Sequence, residues 1–142
     1  MGSRLKAGRG FLLALALLLA AGCYWSKYDK LTRTHVQLLL AMAEKLEEVT
    51  RDAGRPPASL AEYRYPLERA RDFDRIVAGR FEGRPSLVAF RRFCDAYDEV
   101  LRVTESARGA AASGDALARA RAELVADGAA VIAALDAEAR GG

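Results

Sequence analysis

Apolar side chains along residues 27–139 recur at steps of three and four, the repeat that places them on one face of an α-helix. A first stretch covers roughly residues 27–52. Leu31, His35, Leu38, Leu39, Met42, Leu46 and Val49 form its expected buried stripe, and Gly54 with Pro56 and Pro57 closes it. In a second stretch Leu60, Tyr63, Leu67, Ala70, Val77 and Phe81 keep the spacing, with Asp74 falling on the same stripe. Ser59, followed three residues on by Glu62, reads as a capping box. Pro66 lacks a backbone donor and crowds the preceding turn. A short turn over 59–65, a kink, and then a helix over 66–80 are therefore expected.

Pro85 suits the first position of a third helix over about 86–107, whose buried face is Leu87, Phe90, Cys94, Tyr97, Leu101 and Thr104. A connection over 108–115, with Ser113 as its cap, leads to a fourth helix over about 115–139. Leu117, Ala120, Leu124, Val131 and Leu135 carry that helix, and Gly128 leaves room for a close neighbour. No segment alternates as a strand would. Short connections between amphipathic helices favour antiparallel neighbours. The expected fold is all-α: an antiparallel up-down four-helix bundle with its second helix kinked at Pro66.

The run FLLALALLLAA, residues 11–21, breaks the periodic pattern because it has no polar face at all. As a helix it would span ~16 Å at ~1.5 Å per residue, about half a bilayer core. Arg4, Lys6 and Arg9 precede it without any acid; it ends on the small residues Ala20 and Ala21, and Gly22 comes directly before Cys23. Basic residues, a short apolar run and small residues are the parts of a secretory signal.

With the cysteine at that place, residues 1–23 resemble a bacterial lipoprotein signal peptide ending in a lipobox. Ala20 holds the position where that family usually has Leu, and Leu19 sits one earlier. The resemblance implies a diacylglycerol thioether on the Cys23 sulfur, cleavage between Gly22 and Cys23, and a fatty-acyl chain such as palmitate on the new amino terminus. It divides the chain into a signal peptide (1–22), a lipid-anchored, membrane-proximal segment (23–28) and a helical bundle domain (29–142). Tyr24, rather than an inner-membrane-retaining aspartate, follows the cysteine. In a host with two membranes this implies delivery to the outer membrane, facing the periplasm.

Composition changes the picture in two ways. The formal charge of +3 resides entirely in Arg4, Lys6 and Arg9, so the chain from Cys23 onward is balanced. Net charge therefore gives no attraction to nucleic acid, and no nucleic-acid partner is expected. Residues 23–142 suffice for one domain with a single core. With Cys23 acylated, Cys94 has no thiol to pair with.

Candidate chemistry is sparse. His35 lies on the apolar stripe two turns before Met42, which raises a haem site. Ligands seven residues apart on one helix face the same way, however, and no C-x-x-C-H motif is present. His35, Met42 and Tyr97 stand as candidate ligand contacts between helices. Cys94, with Arg91 and Arg92 nearby, raises a thiol reading, whereas its place between Phe90 and Tyr97 reads as a small buried hydrophobe. Arg64, Arg69, Arg71, Arg75, Arg80, Arg84, Arg91 and Arg92 are interleaved with Glu68, Asp72, Asp74 and Glu82, either a salt-bridged surface or an anion-binding one. Paired carboxylates do not converge, and no metal-ligand pattern, phosphate loop or serine–histidine arrangement occurs.

These readings describe a lipid-anchored envelope protein that is not an enzyme and carries no cofactor or metal beyond its covalent lipid. Its expected partners are membrane lipid and another envelope protein, with an interaction or structural role. The alternative is a periplasmic bundle that binds a small molecule or haem near His35, Met42 and Tyr97. A third reading is a redox protein using Cys94.

Overall fold

A computed structural model of the chain describes residues 4–108 and 114–141. It contains four helices, α1 (Arg4–Ala53), α2 (Ala61–Phe81), α3 (Pro85–Ser106) and α4 (Gly114–Gly141). The chain divides into two compact units, Met1–Leu31 and Thr32–Gly142. In the first, the helix runs on through residues 22–27, ahead of the stretch over about 27–52 that the periodicity marks. CYWSKYDKL contains neither Pro nor Gly, so nothing in that stretch interrupts backbone hydrogen bonding.

The second unit is an all-α four-helix bundle. Its antiparallel order follows from which residues meet. Lys45 of α1 pairs with Glu62 of α2, and His35 stacks on Phe73. Arg64 reaches Glu105, and Arg91 reaches Asp74, between α2 and α3. Ser86 meets Glu138 between α3 and α4, whereas Arg33 meets Asp136 and Arg121 meets Glu47 between α1 and α4. In each pair of helices with two such contacts, one number rises as the other falls.

The buried face of α3 matches the periodicity. Leu87, Phe90, Cys94, Tyr97, Leu101 and Thr104 are all buried, joined by Phe93, Ala96 and Val100. Each large apolar side chain so buried contributes about 1.5–3 kcal/mol. Ala120, Leu124, Val131 and Leu135 of α4 are buried as expected, and Leu117 is half-buried. A Cβ on Gly128 would lie 3.1 Å from Phe93 Cε2 and 3.5 Å from Leu40 Cδ1, so this glycine does mark a close approach of α4 to α3 and α1.

Three expectations are corrected. Of the stripe anticipated for α1, Leu39 and Leu46 are buried, but the residues buried with them are Thr32, Val36 and Ala43, one position round from Leu31, His35 and Met42. Leu31, Leu38 and Val49 are exposed, while His35 and Met42 are half-buried.

The capping box does not form. Leu60 occupies the N-cap of α2 without a side-chain bond, Ser59 Oγ accepts from the Ala61 N–H at 3.2 Å, and Glu62 is turned to Lys45. The expected turn before Pro66 is also absent, since α2 starts at Ala61 and continues through the proline. The missing donor costs one backbone bond, to the Glu62 carbonyl, and the burial of Pro66 beside Tyr63 and Leu67 offsets it.

The helix ends follow their punctuation. Gly54 (φ +66°) and Gly83 (φ +78°) take the left-handed conformation just past α1 and α2, which glycine adopts without strain. Pro85 opens α3 as its first residue. The anticipated Ser113 cap lies outside the described residues.

Candidate functional site

Cys23 is exposed on α1, and so are Gly22 and Tyr24 on either side of it. Trp25 is half-buried, with its ring 5.5 Å from that of Tyr28. Cys94 is the opposite case: only 3% exposed, with burial pushing its thiol up to about 12. Arg71 lowers that value, but desolvation is the larger effect. A thiol held protonated inside α3 is a poor nucleophile. The two cysteines therefore differ in what can reach them, and Cys23 is the one open to modification.

His35 and Tyr97 have different partners, and Met42 is half-buried. The His35 ring lies 5.0 Å from Phe73 and 6.2 Å from Phe90, which themselves meet edge to face. Burial lowers its pKa. Tyr97 is fully buried, and its hydroxyl donates to the Tyr63 carbonyl at 2.8 Å, a bond that ties α3 to α2. Burial, with a smaller contribution from Tyr63, holds the phenol above its ordinary range.

Open clefts mark the bundle. One, about 570 Å³, is lined by Val49, Arg55, Pro57 and Arg108 among others, and another, about 300 Å³, by Leu40, Glu47, Arg121 and Val125 among others. Neither cleft is lined by His35, Met42 or Tyr97. Among the described residues, no group of three or more His, Cys, Asp or Glu side chains is placed to hold a metal ion.

The arginine-rich region forms a ladder of ion pairs across α2 and α3. Arg64 meets Glu105 at 3.2 Å, Arg71 meets Asp98 at 3.4 Å and Asp95 at 3.5 Å, and Arg91 bridges Asp74 and Glu82 at 2.9 and 2.7 Å. Within α2, Asp72 takes both Arg69 and Arg75. The bonds from Arg91 hold the Glu82 carboxyl below its usual range. The acids thus neutralise these arginines locally, which is the salt-bridged reading of that surface. Such exposed pairs contribute about 0–1 kcal/mol each.

Sequence reasoning missed Glu138. Its carboxylate accepts from the Ser86 N–H at 2.9 Å and from the Ser86 hydroxyl at 2.8 Å, closing the start of α3 from the far end of α4. A partner 52 residues away leaves no local signature.

No family model matches the chain, and no curated protein or solved structure matches it. Among the described residues, no helix is long and apolar enough to cross a membrane.

Proposed function

We propose that this is a lipid-anchored bacterial envelope protein, held by acyl chains on Cys23, whose helical bundle acts without catalysis by contacting another envelope component. The observation that carries the reading is the order of residues 1–23: three basic residues, an apolar run of half a bilayer's length, three small residues and a cysteine. The exposure of Cys23 supports it, because acyl transfer and cleavage both need access to that residue. Two or more acyl chains anchor a protein durably where one does so only marginally. In a host with two membranes, Tyr24 after the cysteine favours the outer membrane, facing the periplasm.

The test is processing of a Cys23→Ala variant in cells fed a labelled fatty acid. The variant accumulates as precursor or as misprocessed protein and takes up no label. Normal maturation with retained membrane association would contradict the proposal. No specific feature of His35, Met42 or Tyr97 favours the ligand-binding alternative, because they share neither described cleft.

A further inference from the structure

Helix α1 continues without interruption from Cys23 to Leu31, so the residues after the anchor have a fixed angular order around one axis. At about 100° per residue, Cys23, Lys27 and Lys30 fall within an arc of about 60°. All three are exposed, and Tyr24 and Leu31 border the same arc with exposed side chains. Asp29, the one acid of this stretch, lies about 120° round from Cys23.

The axial distances matter as much as the angles. Lys27 and Lys30 are about 6 and 10 Å along the helix from Cys23 at ~1.5 Å per residue. The headgroup layer is about 5–8 Å deep on each side of a bilayer. With Cys23 acylated and its arc turned to the leaflet, α1 lies along the surface, and both ammonium groups reach the headgroups beside the anchor while Asp29 points away. Each lies within about one Debye length, ~8 Å at physiological salt, of the lipid phosphates. Aromatic rings such as Tyr24 settle at that same depth.

We propose that Lys27 and Lys30, with Tyr24 and Leu31 beside them, form a membrane collar that engages anionic phospholipid headgroups of the leaflet holding the Cys23 acyl chains. This inference rests on the lipid-anchor reading and deepens it: the anchor supplies attachment, while the collar selects lipid charge and orients the start of α1. Charge complementarity and continuity with the anchor single out the lipid surface as its occupant. The collar's charge is local, since the chain as a whole from Cys23 onward is neutral.

The test uses the full lipidated protein purified from its own membrane. Trp25→Phe with Leu31→Trp leaves a single tryptophan, now bordering the lysine arc. The protein is reconstituted into vesicles of phosphatidylcholine, with or without phosphatidylglycerol, containing lipid brominated near the headgroup. Quenching is expected to be stronger with phosphatidylglycerol. It falls to the phosphatidylcholine level in half-molar salt, where the Debye length shrinks to roughly 4 Å. It falls to that level also when Lys27→Gln and Lys30→Gln are added. Equal quenching in both vesicle types, or a charge preference that survives the double lysine variant, overturns the collar. The mass of the amino-terminal peptide from the same preparation separates the two claims. Acylated Cys23 with charge-independent quenching overturns the collar alone, whereas unmodified Cys23 overturns anchor and collar together.

Discussion

Leu38 is 44% exposed and its neighbour Leu39 is 0% exposed, although both satisfy a helical apolar repeat. Two stripes run along α1, one residue and so about 100° apart. Leu31, Leu38, Met42 and Val49 lie on the outer one. The inner one joins Val36, Leu39 and Leu46 to Thr32 and Ala43, two residues that add little apolar bulk to mark it in the sequence. Counting apolar bulk favours the outer stripe; close packing selects the inner. Leu39→Ala and Leu101→Ala should each cost about 2–5 kcal/mol, whereas Leu38→Ala stays within about 1 kcal/mol. Denaturant midpoints of the three variants check this, and equal losses at positions 38 and 39 would contradict the inner stripe.

His35 gives a second test at this scale. Burial against Phe73 and Phe90 sets its folded pKa below the ordinary value of 6.5. Above 6.5 the ring is neutral whether the chain is folded or not, and its contribution to stability is fully present. As pH falls below 6.5 the unfolded chain takes up the proton first, and stability is lost until the folded pKa is passed. Urea midpoints between pH 7.5 and 5 should therefore fall in the wild type and change less in His35→Phe.

Among the elements, α3 and α4 were the most legible. A central helix with regularly spaced Phe, Tyr and Leu has one face that fits the core, and all six residues assigned to the α3 stripe are buried. Helix α2 was read less well because its start depends on contacts from elsewhere. Glu62 satisfies the local rule for a capping box, yet Lys45 on α1 draws its carboxylate away. The cap of α3 was illegible for the same reason, since Glu138 belongs to α4. Glu138→Ala would leave the Ser86 N–H and hydroxyl without their acceptor in a site where Ser86 is 0% exposed. A loss of about 1–3 kcal/mol is expected, with Glu138→Gln less severe because the amide oxygen still accepts. Amide exchange should quicken first at the start of α3, and a uniform effect across the bundle would argue against a capping role.

For the whole molecule, the proposed site rests on residues 1–23 alone, because a processing signal of the kind they resemble is linear and needs no tertiary contact. In the bundle, Cys94 is sealed in α3, Tyr97 is committed to the Tyr63 carbonyl, and Arg64 and Arg91 are paired with acids. The proposed lipid anchor would hold a charge-balanced bundle near a membrane surface. The claim on which the account rests is the covalent state of Cys23. Mass spectrometry of the amino-terminal peptide from protein extracted from its native membrane tests it directly. The account predicts a chain beginning at Cys23 that bears a diacylglycerol on sulfur and a fatty-acyl group on nitrogen. A chain that keeps residues 1–22, or one with an unmodified Cys23, would contradict it.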